Sequence, residues 1–292
     1  MSFENSEITS SLLNSGLVAR FRHPAGNTRS PGLLVLGGAE GGLESADAVA
    51  EKLVDEGFAT LALAYFGDPH LPSMLGEIPL EYFLKAIDWL REAPGIHGGR
   101  IGVIGHSKGA EAALLIGATT PHVAAVFACA PSHVAWQAMN RKSPAQSSWT
   151  YRGVPVPFVR YVRAEERMQR EGVRGLYAAS LEANPDAVHA AEIPVERTRG
   201  AILLASGGQD GIWPSSEMAR SIMKRLRING FAYPCHHLDY PDAGHAILRP
   251  PSDAPTAKAE WEEGMGGTDA GNAAARGDGW NKLLIFLRDQ LR

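Results

Sequence analysis

Ser107 stands in a pattern that could supply a nucleophile. It is the centre of a Gly-His-Ser-Lys-Gly motif, between a short apolar run, residues 101–105, and an Ala- and Leu-rich stretch. That order predicts a strand, a tight turn and a helix, and the two glycines let the strand and helix backbones approach closely. A serine at such a turn projects its hydroxyl from the edge of a sheet, near the first amides of the helix. The pattern is typical of covalent catalysis, with an ordinary loop serine as the plain alternative.

Two later residues, Asp210 and His245, could activate this serine. A serine hydroxyl is a weak nucleophile until a base takes its proton and an acid orients that base. Asp210 follows the apolar run 201–206 by four positions, and His245 follows the next predicted strand. Their order after the serine is that of the α/β-hydrolase fold. The turn residues around Asp210 also fit a simple Asx turn. The competing bases are His236 and His237, and the competing acids are Asp239 and Asp242.

A glycine-rich loop follows another apolar run, residues 33–36. Four of the six residues at 37–42 are glycine, which suits a flexible loop, a phosphate-binding loop or an oxyanion hole. A nucleotide-binding loop would continue with Gly-Lys-Ser/Thr, but this one continues with Gly-Leu-Glu, so nucleotide binding is not expected. The predicted oxyanion donors are the backbone N–H of Lys108 and one amide among Gly38, Ala39 and Glu40. Lys108 and Glu111 are expected to pair along the helix, with no chemical role.

These loops require parallel strands, and the chain has the alternating elements to form them. Predicted strands cover residues 17–21, 33–36, 59–64, 101–105, 123–129, 201–206 and 236–240. Predicted helices cover 45–56, 80–92, 214–227 and 280–291, the last preceded by a Gly/Ala/Asp-rich tract at 264–279. Alternation with short connections predicts a mostly parallel central sheet with helices on both faces. We expect one α/β-hydrolase domain over residues 1–292, with a lid insertion at about 132–198.

Composition argues against several classes of protein. The 292 residues carry a formal net charge of −4, which argues against a nucleic-acid-binding surface. Cys129 and Cys235 lie in apolar or strand-like surroundings, which favours buried thiols over a disulfide. The first residues lack a basic segment followed by an apolar core, and no apolar run approaches the roughly 18 residues of a membrane span. We therefore expect neither a signal peptide nor a membrane span, and a cytoplasmic location.

The predicted lid is rich in arginine. Five of its arginines recur every three or four residues: Arg160, Arg163, Arg167, Arg170 and Arg174. On a helix, that spacing would align them along one side. One interpretation is a cationic surface that binds the phosphates of coenzyme A at the mouth of the site. The other is an exposed helix whose arginines pair with Glu165, Glu166 and Glu171, and the sequence leaves both open.

Over about residues 33–250 the sequence resembles the acyl-CoA thioesterase and bile acid-CoA:amino acid N-acyltransferase family. Six segments carry the resemblance: 105–111 with its Ser-Lys-Gly-x-Glu core, 193–197, 208–213, 240–245, 41–43 and 61–65. The resemblance implies Ser107 as nucleophile, His245 as base and Asp210 as orienting acid. Mammalian members have an additional N-terminal β-sandwich domain that these 292 residues do not include. The conjugating member has cysteine as its nucleophile, and the lid, 132–192, matches poorly, so acyl specificity is not implied.

Together these observations predict a serine hydrolase that cleaves an acyl thioester through an acyl-enzyme intermediate. The expected substrate is a small acyl thioester such as acyl-CoA, or an ester. An acyl group on an acyl carrier protein is the other form of thioester considered. The mechanism requires no cofactor and no metal. Alternatives on the same fold are a carboxylesterase, a dienelactone-hydrolase-like enzyme, an amine N-acyltransferase and a non-catalytic binding protein. The acyl chain, the acceptor and the oligomeric state stay open.

Overall fold

A seven-stranded sheet forms the centre of the computed structural model, which describes residues 15–26, 29–140, 142–248 and 264–291. The strands in chain order are β1 (Val18–Arg22), β2 (Gly32–Leu36), β3 (Ala59–Ala64), β4 (Ile78–Pro79), β5 (Ile101–His106), β6 (Val123–Cys129), β7 (Trp149–Tyr151), β8 (Val154–Pro155), β9 (Ala201–Gly207) and β10 (Cys235–Tyr240). The large sheet has the order β1-β3-β2-β5-β6-β9-β10. Only β1 runs antiparallel to its neighbour in this sheet.

Helices cover both faces of this sheet, as predicted. They are α1 (Glu44–Asp55), α2 (Leu80–Glu92), α3 (Lys108–Thr119), α4 (Glu165–Glu171), α5 (Val173–Ala183), α6 (Pro185–Ala191), α7 (Ser215–Ile228) and α8 (Asp269–Gln290). Helices α2, α3 and α7 share one apolar core with the sheet, and α1 and α8 share the other. The prediction of a mostly parallel sheet between two helical layers is therefore confirmed.

The inner strands are apolar at nearly every position because both of their faces are covered. All residues of β2, β3, β6 and β9 are buried. In β2, Leu34 and Leu36 belong to the core beneath α2 and α3, while Leu33 and Val35 belong to the core beneath α1 and α8. Successive side chains of a strand point to opposite faces, so an unbroken apolar run fills two cores at once. This arrangement leaves the polar loops at the carboxyl ends of the strands to form a site.

Residues 132–198, which we call the cap segment, form a separate apolar cluster together with Trp213 and Met218. They contain β7, β8 and helices α4 to α6, and β7 pairs with β4 from an earlier part of the chain. Trp136 and Trp149 are fully buried in this region. The ring of Trp136 stacks on Tyr161 at 5.9 Å between centroids and meets the edge of Tyr177 at 4.8 Å. The cap segment is therefore a packed structure, although its sequence is polar and rich in arginine.

The last helix is longer than the sequence suggests. It begins at Asp269, so the predicted start of the terminal helix at residue 280 was wrong by eleven positions. Thr268 caps the helix, its Oγ1 accepting the N–H of Gly271 at 2.9 Å, and Asn272 accepts an N–H from the loop that precedes the candidate base. Glycine and aspartate lower helix propensity, and here the cap and tertiary contacts compensate. Within the ranges described, no helix has the length and apolar character needed to cross a membrane.

Candidate active site

Ser107 occupies a tight turn between β5 and α3. Its φ of 56° lies in the left-handed region, which residues other than glycine rarely adopt. A Cβ at Gly105 would lie 2.1 Å from the carbonyl oxygen of Gly109, and one at Gly109 would lie 2.2 Å from that of Gly37. Both flanking glycines are therefore required by close backbone packing. The strained turn, residues 105–109, is called the nucleophile turn below.

His245 and Asp210 form a buried pair at the same edge of the sheet. The imidazole Nδ1 lies 2.8 Å from Asp210 Oδ2, and both residues are almost inaccessible to solvent. The other carboxylate oxygen, Oδ1, accepts the backbone N–H groups of Ile212 and Trp213 at 2.9 and 3.1 Å. The indole of Trp213 packs edge-on against the imidazole, with centroids 5.7 Å apart. With Asp210 as acceptor, the proton is assigned to Nδ1, and Nε2 is left to act as a base.

The competing histidines and acid lie elsewhere on β10. His237 Nε2 is 2.7 Å from Ser206 Oγ, and Asp239 accepts a hydrogen bond from Ser216 at 2.8 Å. His236 is exposed at the edge of the sheet, in a groove beside α8. Strand residues alternate between faces, so these side chains are directed away from the loop at the end of the strand. The structure thus pairs the loop histidine, not the strand histidines, with a buried carboxylate.

His106 joins the nucleophile turn to the candidate base, a contact that the sequence analysis did not predict. Its Nε2 lies 2.9 Å from the backbone oxygen of His245, and the two rings are 4.9 Å apart. Burial, together with the neighbouring His245, lowers the pKa of His106 to about 4. His106 is therefore neutral near pH 7, and its Nε2–H donates. Among the hydrogen bonds of the described chain, none joins Ser107 Oγ to the imidazole, and such bonds commonly tighten only when substrate binds.

The glycine-rich loop lies against the serine, but two of its three expected oxyanion donors are occupied. A Cβ on Gly38 would be 3.2 Å from Ser107 Cβ, so the loop and the nucleophile are in contact. The N–H of Gly38 donates to Glu40 Oε1 at 2.9 Å, which removes it as a free donor. Of the hydrogen bonds in the described chain, none uses the N–H of Ala39 or of Lys108. The N–H of Glu40 donates to its own carboxylate, so the amides of Ala39 and Lys108 are the donors that the loop and the helix leave available.

Two side chains fix the shape of this loop. The hydroxyl of Tyr65 donates to the carbonyl oxygens of Gly37 and Gly38, at 2.8 and 3.2 Å. Glu40 accepts from Ser45 as well as from the Gly38 amide. Burial opposes ionisation of Glu40, but these hydrogen bonds lower its pKa below the ordinary value. The loop is therefore held on one side by a neutral hydroxyl and on the other by a carboxylate.

The cap arginines do not form the single helical row that their spacing predicts. Arg160 and Arg163 precede α4, and Gly172, with a φ of 64°, separates α4 from α5. Arg167 pairs with Glu171 and also with Glu182. Arg174 pairs with Glu217 and donates to the backbone oxygen of Asp210. A single helical row is not formed, because two of the arginines precede α4 and Gly172 separates the last of them from it. Binding of phosphates by these arginines stays a prediction. Of the three predicted glutamate partners, Glu171 pairs with an arginine, whereas Glu165 and Glu166 form no ion pair within the described part of the chain.

The order of the strands and the position of the serine turn after β5 place this protein in the α/β-hydrolase fold class. Two solved structures share the architecture. A carbohydrate esterase from gut microbiota superposes with a TM-score of 0.60 at 15% identity, covering 99% of this chain and 96% of that one. A putative dienelactone hydrolase from Klebsiella pneumoniae has a TM-score of 0.57 at 16% identity, with 92% of each chain covered. At such identities the likeness concerns the fold alone.

The chain belongs to the BAAT / acyl-CoA thioester hydrolase family, whose C-terminal model matches residues 78–292. Acyl-coenzyme A thioesterase 1 of Rattus norvegicus is 30% identical over 265 residues, which are 89% of this chain and 60% of that protein. Acyl-coenzyme A amino acid N-acyltransferase 1 of Mus musculus is 32% identical over 277 residues, with coverage of 92% and 62%. The family resemblance predicted from the sequence is confirmed. The chain spans about three fifths of the length of these relatives.

Two histidines with lowered pKa values predict a loss of stability in mild acid. Loss of solvent around the imidazole lowers the pKa of His106 and that of His133 to about 4, from an ordinary value of 6.5. Between these values the unfolded chain binds protons that the folded chain does not, so stability falls as the pH drops from about 6.5 to 4. The expected loss is roughly 3 kcal/mol for each imidazole, measured by urea unfolding at several pH values.

Single replacements identify the source of this pH dependence. His106→Gln and His133→Gln should each flatten the decline between pH 6.5 and 4, because each removes one group that protonates on unfolding. The matched control is His97→Gln, at an exposed position, which should leave the slope as in the wild type. A wild-type slope in both His106→Gln and His133→Gln would contradict the assignment.

Proposed function

We propose that this protein is a serine hydrolase that cleaves acyl thioesters by attack of Ser107. One observation above all supports this: the buried His245–Asp210 pair, at 2.8 Å, lies beside the strained serine turn at the carboxyl edge of the sheet. Family membership supports the substrate class, because its relatives are named as acyl-coenzyme A thioesterases and N-acyltransferases. The thioester is therefore expected to be acyl-CoA, with an acyl carrier protein as a second source of the same bond.

In the proposed mechanism, each residue has one role. Ser107 Oγ attacks the thioester carbonyl while His245 Nε2 removes its proton, and Asp210 stabilises the imidazolium and its tautomer. The negative charge on the carbonyl oxygen is received by the backbone N–H groups of Lys108 and Ala39. The imidazolium then protonates the leaving thiolate, and the neutral imidazole next activates water to hydrolyse the acyl-enzyme. No step calls for a metal or a cofactor.

Transfer to an amine is the second candidate function, favoured by the N-acyltransferases among the relatives. The nucleophile argues for water as the acceptor. The conjugating member of the family has cysteine at this position, and its thioester intermediate reacts readily with amines. The acyl-enzyme at Ser107 would be an oxygen ester, which is better suited to hydrolysis. Hydrolysis is therefore the proposed main reaction.

A substrate panel tests the function and the acceptor together. Acyl-CoAs of increasing chain length and p-nitrophenyl esters are assayed for release of thiol or phenol, and glycine or taurine is added at millimolar concentration. We expect turnover of acyl-CoA and mostly free acid as product. Predominant amide would favour the acyltransferase, and turnover of simple esters alone would favour a carboxylesterase. Labelling by a fluorophosphonate, with Ser107→Ala as control, separates an enzyme from a binding protein, which would not be labelled.

A further inference from the structure

A buried ion pair lies immediately behind the serine. Lys108 Nζ is 2.6 Å from Glu111 Oε2, and the two side chains are 1% and 0% exposed. The pair forms as its spacing along the helix predicts, but burial makes it unlike an ordinary surface pair. Removing two charges from water is costly, and apolar side chains of similar size are often equally stabilising in such positions. Stability alone therefore does not explain why the pair stands next to the nucleophile.

The second carboxylate oxygen of Glu111 connects α3 to the cap segment. Its Oε1 accepts the backbone N–H of Trp136 at 3.0 Å and the indole N–H of Trp149 at 2.5 Å. Both tryptophans belong to the cap segment and are fully buried. Charge-assisted hydrogen bonds of this kind are stronger and more directional than neutral ones. One carboxylate therefore ties two separate stretches of the cap segment to the nucleophile helix.

Lys108 reinforces the same connection with its side chain. Its Nζ donates to Ser148 Oγ at 3.0 Å, and that hydroxyl donates to the backbone oxygen of Trp136 at 2.9 Å. The ammonium group also lies 5.3 Å from the ring centre of Trp149. Burial lowers the pKa of Lys108, while the attraction of Glu111 opposes that shift. The side chain of Lys108 is thus fixed at its end, which restrains the backbone from which it departs.

The buried contacts around Lys108 and Glu111 extend to the glycine-rich loop, on the other side of the expected oxyanion hole. The Trp149 ring packs against Tyr65, with centroids 5.8 Å apart. The Tyr65 hydroxyl holds the carbonyl oxygens of Gly37 and Gly38. A peptide group that presents its C=O to Tyr65 directs the N–H of the next residue the opposite way. The Lys108 amide and the glycine-rich loop are therefore supported by one continuous set of buried contacts.

We propose that Glu111 is a positioning residue, whose Oε1 ties the cap segment to α3 and thereby directs the backbone N–H of Lys108 at the reacting carbonyl. The inference rests on the proposed function and adds to it, because it gives the cap segment a part in stabilising the transition state. A misdirected oxyanion donor weakens binding of the transition state more than binding of the substrate. Loss of this contact should therefore lower kcat and leave KM nearly unchanged.

Two double variants isolate the acceptor oxygen. Lys108→Met/Glu111→Gln removes both charges but keeps an oxygen for the two tryptophan N–H groups. Lys108→Met/Glu111→Met removes the charges and the oxygen. We expect kcat to be about 30- to 100-fold lower in the second variant than in the first, with KM differing by less than twofold between the two variants, because loss of the acceptor oxygen should cost somewhat less than loss of a whole donor. Equal kcat values in the two variants, or an effect confined to KM, would overturn the proposal.

A control and a second readout keep this test independent of the proposed function. Arg225→Met breaks another ion-pair cluster of the cap segment, formed with Glu192 and Glu196 away from the nucleophile turn. It should lower stability and leave kcat unchanged. Hydrogen exchange over residues 107–111, 134–140 and 142–151 should be faster in the variant without the oxygen than in the variant that keeps it. If the wild type turns over no substrate of the panel, the proposed function fails, and equal exchange in the two double variants then overturns the positioning role as well.

Discussion

Ser107→Ala and His245→Ala are each expected to reduce kcat by about 10⁵- to 10⁶-fold on the best acyl-CoA of the panel. The serine supplies the attacking oxygen and the histidine removes its proton, so either replacement stops the same step. Since the two groups act as one unit, the double variant should be little slower than either single variant. Steady-state and single-turnover assays on protein of verified fold measure this directly, with thiol release as the signal.

The competing bases provide the control for this prediction. His236→Ala and His237→Ala change histidines on β10, and both variants should retain turnover within a few-fold of wild type. His237 is already engaged with Ser206, which accounts for its position without a catalytic role. Near-wild-type activity in His245→Ala would disprove the assignment of the base. In that case the strand histidines would be the next candidates.

Asp210→Asn is expected to cost about 10⁴-fold in kcat, because an amide favours the wrong tautomer of the imidazole. In the native pair the carboxylate accepts a hydrogen bond from the Nδ1–H of His245 at 2.8 Å. If the asparagine NH2 donates to Nδ1 instead, the ring proton must lie on Nε2. A protonated Nε2 cannot accept the proton of the Ser107 hydroxyl. The geometry of the loop should survive, since Asn can still accept the N–H groups of Ile212 and Trp213.

The matched control for this variant is Asp242→Asn. Asp242 lies three positions before His245 on the same loop, is exposed, and contacts the Gln209 side chain at 3.3 Å. Its replacement should change kcat by less than about twofold, as is usual for an exposed polar residue away from the reacting atoms. A large loss in Asp242→Asn together with a small loss in Asp210→Asn would exchange the roles of the two acids. Initial rates over a range of pH complete the comparison.

Short-range patterns were enough to predict the seven strands of the central sheet and the loops that meet at one of its edges, but not the short strands β4, β7 and β8. The parallel strands are buried on both faces, so their residues are apolar without interruption, and that signal needs no knowledge of the fold. In an α/β sheet the loops after successive strands converge, which is why Asp210 and His245 could be proposed as neighbours before their 2.8 Å contact was seen. The family resemblance could be recognised from the sequence because most of its motifs are short segments that lie in these loops.

Predictions failed where contacts between distant parts of the chain outweigh local propensity. The start of α8 at Asp269 depends on a cap at Thr268 and on packing against the loop before His245. Two arginines of the cap segment form ion pairs with glutamates 15 and 43 positions away, in the Arg167–Glu182 and Arg174–Glu217 pairs. Spacing along one helix carries no information about such partners.

By itself, the sequence determined which residues could do chemistry and at which edge of the sheet they would stand. The tertiary structure alone decided which groups are free to act. It occupies the Gly38 amide with Glu40, and it buries the Lys108–Glu111 pair beneath Trp149. The physical reason is that residue type and local spacing set the possible partners of a polar group. Burial and distant packing decide which partner the group has, and how strongly the partner is held.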